Sequence, residues 1–286
     1  MVQTTTAMSG KICLITGGTN GIGKVAALEL ARMGATVIIV GRNADKTAKV
    51  VAEIKAASGN KTVDYLLADL SAQADIRRLA TEFKAKYSQL HVLLNNAGGV
   101  NFKRELSVDG IEMTFALNHL AYFLLTNLLL DTIKASAPAR IICVSSGLHT
   151  SGKVDFDNLQ GERSYGGMPA YSASKLENIL FTIELAQRLE GTGVTVNALH
   201  PGWVNTGFGK NNNGLVSKIQ SLITPLMARS PEKGAETSIY LASSLDVEKI
   251  SGKYFADSKP KPPAPQASDK ETAKKLWNIS ASLVNL

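Results

Sequence analysis

The sequence predicts a single α/β domain: a doubly wound parallel sheet of about seven strands with helices on both faces. Two observations predict it. Short runs rich in Val, Ile and Leu recur with little alternation, the pattern of strands covered on both faces. Segments of helical period separate these runs, and βα alternation of that kind builds parallel sheets. At 286 residues two domains would also be allowed, but the alternation resolves to one. With 44% apolar and 19% charged residues, a mostly disordered chain is excluded.

Taken in order, strands are expected at 11–16, 36–40, 62–68, 92–95, 140–145, 195–199 and 253–256. Helices are expected at 23–33, 45–57, 73–87, 110–133 and 171–189. Two stretches interrupt the rhythm, 147–169 and 207–231. Insertions of that length tend to form lids or pocket walls. The second carries an amphipathic segment, 215–227, with Leu215, Val216, Ile219, Leu222, Ile223, Leu226 and Met227, which reads as a lid over an apolar substrate. A carboxy-terminal extension spans about 257–286. It opens with a proline-rich extended stretch, 258–268, and closes with a helix in which Leu276, Trp277 and Ile279 are the docking candidates.

Cys13 and Cys143 both lie in apolar runs, so a disulfide framework is excluded and both read as buried thiols. No uninterrupted apolar stretch of the roughly 18 residues a bilayer span requires is expected. The start, Met1-Val2-Gln3-Thr4-Thr5-Thr6, has neither a basic nor an apolar region of a signal peptide, and a cytoplasmic setting is the expectation.

Thr16-Gly17-Gly18-Thr19-Asn20-Gly21-Ile22-Gly23 follows the first strand and opens a helix, the context of a dinucleotide-binding loop in a Rossmann-like fold. Gly17 permits the tight turn, Gly21 lets backbone approach the pyrophosphate, and Gly23 permits close helix packing. The helix N-terminus then offers N–H donors and a positive dipole. An acid at the end of the second strand would favour NAD. Here Val40 is followed by Gly41-Arg42-Asn43, and the guanidinium of Arg42 suits the 2′-phosphate of NADP(H). Asp69-Leu70 and Asn95-Asn96-Ala97-Gly98 close the third and fourth strands, where open α/β sheets bind ligands; each reads equally well as a turn.

The chemistry is expected in the second half. Tyr171 and Lys175 stand four residues apart on one helical face, in Tyr171-Ser172-Ala173-Ser174-Lys175. A phenol is a poor acid–base group at neutral pH, and a nearby cation stabilises its phenolate. Ser146 follows the fifth strand, where its hydroxyl can donate to a carbonyl oxygen or simply cap a turn. The histidines His91, His119, His149 and His200 have no metal-ligand spacing, and His149 and His200 read as loop-edge or pocket residues.

In this order, these residues resemble the short-chain dehydrogenase/reductase family from about 11 to 252. Asn118 and Pro201-Gly202-Trp203-Val204-Asn205-Thr206 complete the set. Val154-Asp155-Phe156-Asp157-Asn158-Leu159-Gln160-Gly161 and the ending Ser251-Gly252-Lys253-Tyr254-Phe255 resemble the NADP-preferring, retinol-dehydrogenase-like group. The membrane-anchoring front segment of that group's animal members is not read at the front of this sequence.

The resemblance implies catalysis by Asn118, Ser146, Tyr171 and Lys175. Tyr171 would exchange the proton of the alcohol oxygen, and Ser146 would polarise the carbonyl. Lys175 would lower the tyrosine pKa and hold the nicotinamide ribose. Asn118 would position a water linking Lys175 to solvent. It implies that NADP(H) is held by Gly17, Thr19, Asn20, Gly21, Ile22 and Gly23, then by Arg42, Asn43, Asp69 and Leu70. Asn96, Ala97, Gly98, Tyr171 and Lys175 would complete the grip, with Pro201, Gly202, Val204 and Thr206 near the nicotinamide.

The expected function is thus NADP(H)-dependent interconversion of an alcohol and a carbonyl on a small apolar substrate such as a retinal-like aldehyde, a steroid or a lipid-derived carbonyl. A catalytically silent NADP(H) sensor of the same fold is the alternative, although it would have no use for a proton donor. Metal binding is not expected. Nucleic-acid binding lacks any recognition motif. The formal charge of +7 does not argue for it either, since seven lysines against three acids in 249–286 carry more than half of the surplus. The long helices 110–133 and 171–189 pair between subunits in many relatives, so a homodimer or homotetramer is expected.

Overall fold

The computed structural model describes residues 7–203 and 229–286. Among them, eight strands form one sheet in the order β3-β2-β1-β4-β5-β6-β7-β8. They are β1 (Ile12–Thr16), β2 (Thr36–Gly41), β3 (Val63–Leu67), β4 (Val92–Asn95), β5 (Ala139–Val144), β6 (Val194–His200), β7 (Tyr254–Ala256) and β8 (Lys259–Lys261). The first seven are parallel, and their order reverses between β1 and β4, which places a crevice at the carboxyl ends of those two strands.

Helices cover both faces: α1 (Gly21–Arg32), α2 (Ala44–Ser58), α3 (Gln73–Lys86), α4 (Met113–Ala135), α5 (Gly167–Arg188), α6 (Pro231–Ser243) and α7 (Lys270–Leu283). The period of two along β1 decides which core each side chain joins. Leu14 packs with Leu79, Phe83, Phe123 and Ile179, while Cys13 and Ile15 pack with Ala27, Leu30 and Leu241 on the other face. Both free cysteines are fully buried, and burial pushes each thiol up to about 12, so neither is a reactive thiolate.

Two elements were not expected. The stretch 258–268 is not simply extended: β8 pairs antiparallel with β7 across a two-residue turn, Asp257 and Ser258, both at positive φ, as a tight hairpin turn requires. Pro260 is tolerated because β8 is the sheet edge. Helix α6 begins where the 207–231 stretch was expected to end. Its start signal is present in sequence: Ser230 accepts from the Lys233 backbone N–H, and Pro231 occupies the first turn.

Two helices also differ in extent. Helix α4 starts at Met113, capped by Glu112, and contains a π turn at Ala116–Leu120. Helix α5 starts at Gly167, so Tyr171 lies in its second turn and does not open the helix. A Cβ on Gly167 would lie 2.5 Å from the Asn101 carbonyl oxygen, so the helix start packs directly on the loop after β4. The 23 residues of α4 have a mean hydropathy of 1.4 and would suffice in length and composition to span a bilayer. In the sequence this length is hidden, because Asn118, His119, Thr126 and Asn127 interrupt the apolar run. In the fold, 72% of the apolar window is buried.

The final helix docks on α5 and α4. Asp269 caps it by accepting from the Glu271 and Thr272 N–H groups. Leu276 is buried, and Trp277 stacks against Phe181 at 5.8 Å and meets Phe123 edge-on at 4.8 Å, beneath the Arg188 guanidinium. Ile279 is not packed into the core; Ala273, Ser280 and Val284 are the buried residues of that face instead. Part of the α4–α5 surface expected to pair between subunits is therefore covered by the chain's own tail. Leu276→Ala is expected to cost about 3 kcal/mol in urea unfolding, whereas Lys274→Ala on the exposed face stays within about 0.5 kcal/mol.

Candidate active site

The glycine loop between β1 and α1 is built to bring backbone close to a ligand. Gly17 (φ 65°) and Gly21 (φ 50°) take left-handed conformations that other residues avoid. A Cβ on Gly23 would lie 2.5 Å from the Gly17 carbonyl oxygen and 2.6 Å from Asn96 Nδ2, so Gly23 serves the loop's own closure. No side chain caps α1 at Asn20, which leaves the first-turn N–H groups of Gly21, Ile22 and Gly23 directed at the crevice. Beside them, Thr19 comes close to Gly41 at the end of β2, where a Cβ would be 2.7 Å from its Cγ2.

Arg42 follows directly, exposed and with no hydrogen-bond or ion-pair partner among the described residues. Asn43 caps α2, its Oδ1 accepting from the Lys46 N–H at 2.8 Å. Asp69 forms a turn: its Oδ1 accepts from Ser71 N at 2.9 Å and from Ser71 Oγ at 2.7 Å, while Leu70 is buried beneath it. Asn96 acts on the loop itself, donating to the carbonyls of Thr16 at 2.8 Å and Gly17 at 3.3 Å. Thr16 opens the glycine motif, but no role of its own was expected there. Its Oγ1 accepts from Asn96 N at 2.8 Å and Ala97 N at 3.0 Å, tying the end of β1 to the end of β4.

The catalytic candidates lie together one strand further. The π turn places Asn118 fully buried, where its Oδ1 accepts from Gly99 N at 2.8 Å. Its Nδ2 donates to Gly99 O at 2.9 Å and Ser174 Oγ at 2.9 Å. Gly98 has no Cβ because one would lie 3.1 Å from Asn118 Oδ1 and 3.3 Å from Lys175 Nζ. Ser145 Oγ donates to the Lys175 carbonyl at 2.6 Å and so locks the end of β5 to α5. Ser146 starts a short 3₁₀ turn, Gly147–Ser151, accepting from Leu148 N at 3.2 Å.

Electrostatics at the site are dominated by burial. Burial pushes the Tyr171 phenol up to about 12, and a hydrogen bond with Ser146 works against it. The expected pull of Lys175 on that phenol is not what sets it. Nζ donates to the Val144 carbonyl at 3.1 Å and lies over the Tyr171 ring, 5.5 Å from its centroid. Burial also lowers the Lys175 ammonium to about 8.

Gly202 (φ 81°) turns the chain after Pro201, and its N–H donates to His200 Nδ1 at 3.0 Å. Val204, Thr206 and the segment 215–227 lie outside the described residues. No group of metal-ligating side chains occurs among the described residues.

The short chain dehydrogenase model matches residues 11–214. The chain belongs to the short chain dehydrogenase family. It is 44% identical to retinol dehydrogenase 13 of Homo sapiens, over 97% of this chain and 85% of the relative. It is 45% identical to retinol dehydrogenase 14 of Homo sapiens, over 98% and 88%. A crystal structure from Mycobacterium paratuberculosis aligns with a TM-score of 0.78 at 30% identity, covering 97% of this chain and 94% of that one. A short chain dehydrogenase from Burkholderia cenocepacia in complex with NADP aligns with a TM-score of 0.68 at 26% identity, covering 87% and 96%. As a member of this family the chain is an oxidoreductase of retinol-dehydrogenase-like type.

The crowded loop gives a direct test. Gly23→Ala is expected to weaken dinucleotide binding about 10-fold or more, because the new methyl meets backbone and cannot be relieved by a rotamer change. Fluorescence titration measures it, with unfolding curves confirming that the variant is folded.

Proposed function

We propose that the chain is an NADP(H)-dependent oxidoreductase that interconverts an alcohol and a carbonyl on an apolar substrate, with Tyr171 as general acid and base. One observation carries this reading: Tyr171 is buried beside Ser146, with Lys175 Nζ 5.5 Å from the centroid of its ring, on two elements brought together from 25 or more residues apart. A nicotinamide dinucleotide, when bound, supplies or accepts the hydride.

The residues fit that group. Uncapped N–H groups of α1 face the crevice for the diphosphate. Arg42 has no partner among the described residues at the end of β2, where a 2′-phosphate gives a guanidinium a bidentate partner. Asn96 and Thr16 fix the loop, and Pro201 and Gly202 shape the wall of the crevice.

In reduction, the Ser146 hydroxyl donates to the substrate carbonyl and stabilises the charge that develops on its oxygen. Tyr171 then gives its proton to that oxygen, and a phenol held near 12 is fully protonated at neutral pH. Lys175 stabilises the phenolate that remains for as long as its ammonium is charged. Asn118 holds the Gly99 backbone and Ser174, and through them the start of α5. In oxidation, Tyr171 accepts the alcohol proton. The retinol dehydrogenases among the relatives favour a retinal-like aldehyde within the apolar class.

Tyr171→Phe is expected to lower kcat by about 100-fold or more while leaving the Kd for NADPH within about twofold. A variant with full turnover would overturn Tyr171 as the general acid and base. Arg42→Asp is expected to weaken NADPH binding by about 10- to 100-fold and NADH binding little; equal losses remove Arg42 from the phosphate. The pH profile follows from the two burial effects. Carbonyl reduction is expected to hold level at neutral pH and to fall as pH rises through about 8, where Lys175 loses its proton. A rate rising through that range would contradict this assignment.

A further inference from the structure

The turn that carries Ser146 is held by a side chain to which the chemistry above gives no role. His149 lies within Gly147–Ser151 and is 2% exposed. Its Nδ1 is 2.7 Å from the Ser146 carbonyl oxygen, and its Nε2 is 3.1 Å from the Ala264 backbone nitrogen. A carbonyl can only accept and a backbone N–H can only donate. Both bonds therefore require a neutral ring with its proton on Nδ1. Burial lowers the His149 pKa and favours that neutral form. The His149 backbone N–H also donates to the same Ser146 carbonyl at 3.1 Å, so one residue supplies it with two donors.

The other end of the clamp is the carboxy-terminal extension. Ala264 is buried and leads into a 3₁₀ turn, Pro265–Ser268. From it Gln266 Nε2 donates to the carbonyls of Thr150 at 3.0 Å and Gly152 at 3.3 Å. The Tyr254 ring closes over His149 with centroids 4.8 Å apart. A segment more than 110 residues downstream thus holds the Ser146 turn at two backbone carbonyls and at the His149 ring, and His149 is the link that reaches Ser146 itself.

We propose that His149 is a positioning residue: it fixes the Ser146 hydroxyl by anchoring its turn to the carboxy-terminal segment at Ala264. This rests on the reading of Ser146 as the group that polarises the substrate carbonyl. Misplacement of a reacting group by about 1 Å can cost up to about 100-fold in rate, and Ser146 lies beyond the end of β5, at the head of the turn these bonds hold.

The test compares His149→Phe with His149→Asn in the full chain, using NADPH and retinal. Phe keeps the ring packing on Tyr254 but makes neither bond. Asn loses the ring yet can place an amide donor near the Nδ1 position. His149→Phe is expected to lower kcat about 10-fold or more with the NADPH Kd within about twofold. His149→Asn is expected to recover several-fold of that loss even where its Tm is the lower of the two. A purely structural role would make kcat follow Tm, so a His149→Asn enzyme as slow as His149→Phe, or a His149→Phe enzyme within twofold of the parent, overturns the proposal.

Amide hydrogen exchange reads the clamp without turnover. Residues 147–152 and 264–268 are expected to exchange faster in His149→Phe, and unchanged protection there also overturns it. If the parent protein and Tyr171→Phe turn over retinal equally, the proposed function fails, while the exchange pattern still decides whether the clamp exists.

Discussion

The pairing of β1 with β4 is the constraint on which the site depends. Strand order reverses there, so the loops leaving the two strands diverge and open a crevice. A crevice alone is not a binding site; its two walls must hold a fixed separation. Thr16 and Asn96 do this through four hydrogen bonds between the strand ends. Close approach of these walls explains why glycine is needed at positions 17 and 23, where any side chain would strike Asn96, Ala97 or the loop's own carbonyl. The phosphate loop, the π turn carrying Asn118 and the β5 end carrying Ser146 are all positioned relative to that joint.

Tyr171 and Lys175 are both buried, and burial gives them opposed tendencies. It holds Tyr171 protonated and weakens the hold of Lys175 on its proton. A site with such a pair is tuned by small changes in solvation. A bound ligand that excludes water and carries its own charge would alter both equilibria together. The polar partners around them are backbone groups fixed by the sheet: the Val144 carbonyl of β5 accepts from Lys175, and the Gly99 amide and carbonyl of the β4 loop hold Asn118.

Much of this was legible in the sequence for identifiable reasons. Unalternating apolar runs marked the parallel strands, because both faces of those strands are covered. The glycine loop and the Tyr171–Lys175 spacing marked the two halves of the site. What was not legible depends on geometry that pattern does not encode. The π turn at Asn118 looks like ordinary helix, since its residues have helical propensity and only the hydrogen-bond ladder differs. Asn43 was expected as a ligand contact and Asp69 as a contact or a turn, and in the fold both side chains close local backbone. The β7–β8 hairpin was masked by prolines that usually exclude a strand but are harmless on its outer edge. His149 offered no motif, because its partners are backbone atoms of Ser146 and of a segment far along the chain.

The docking of the tail has a consequence for how the protein comes into being. Gln73 donates to the Leu283 carbonyl across 210 positions, and Arg77 to that of Val284. Ala264 and Gln266 reach back more than 110 positions to the turn after β5. During synthesis, the glycine loop and the sheet to β6 can emerge and pair long before these residues leave the ribosome. The nascent chain thus passes through a stage with its nucleotide crevice formed and its serine turn unsupported. The support of that turn arrives last, with residues more than 110 positions further along the chain.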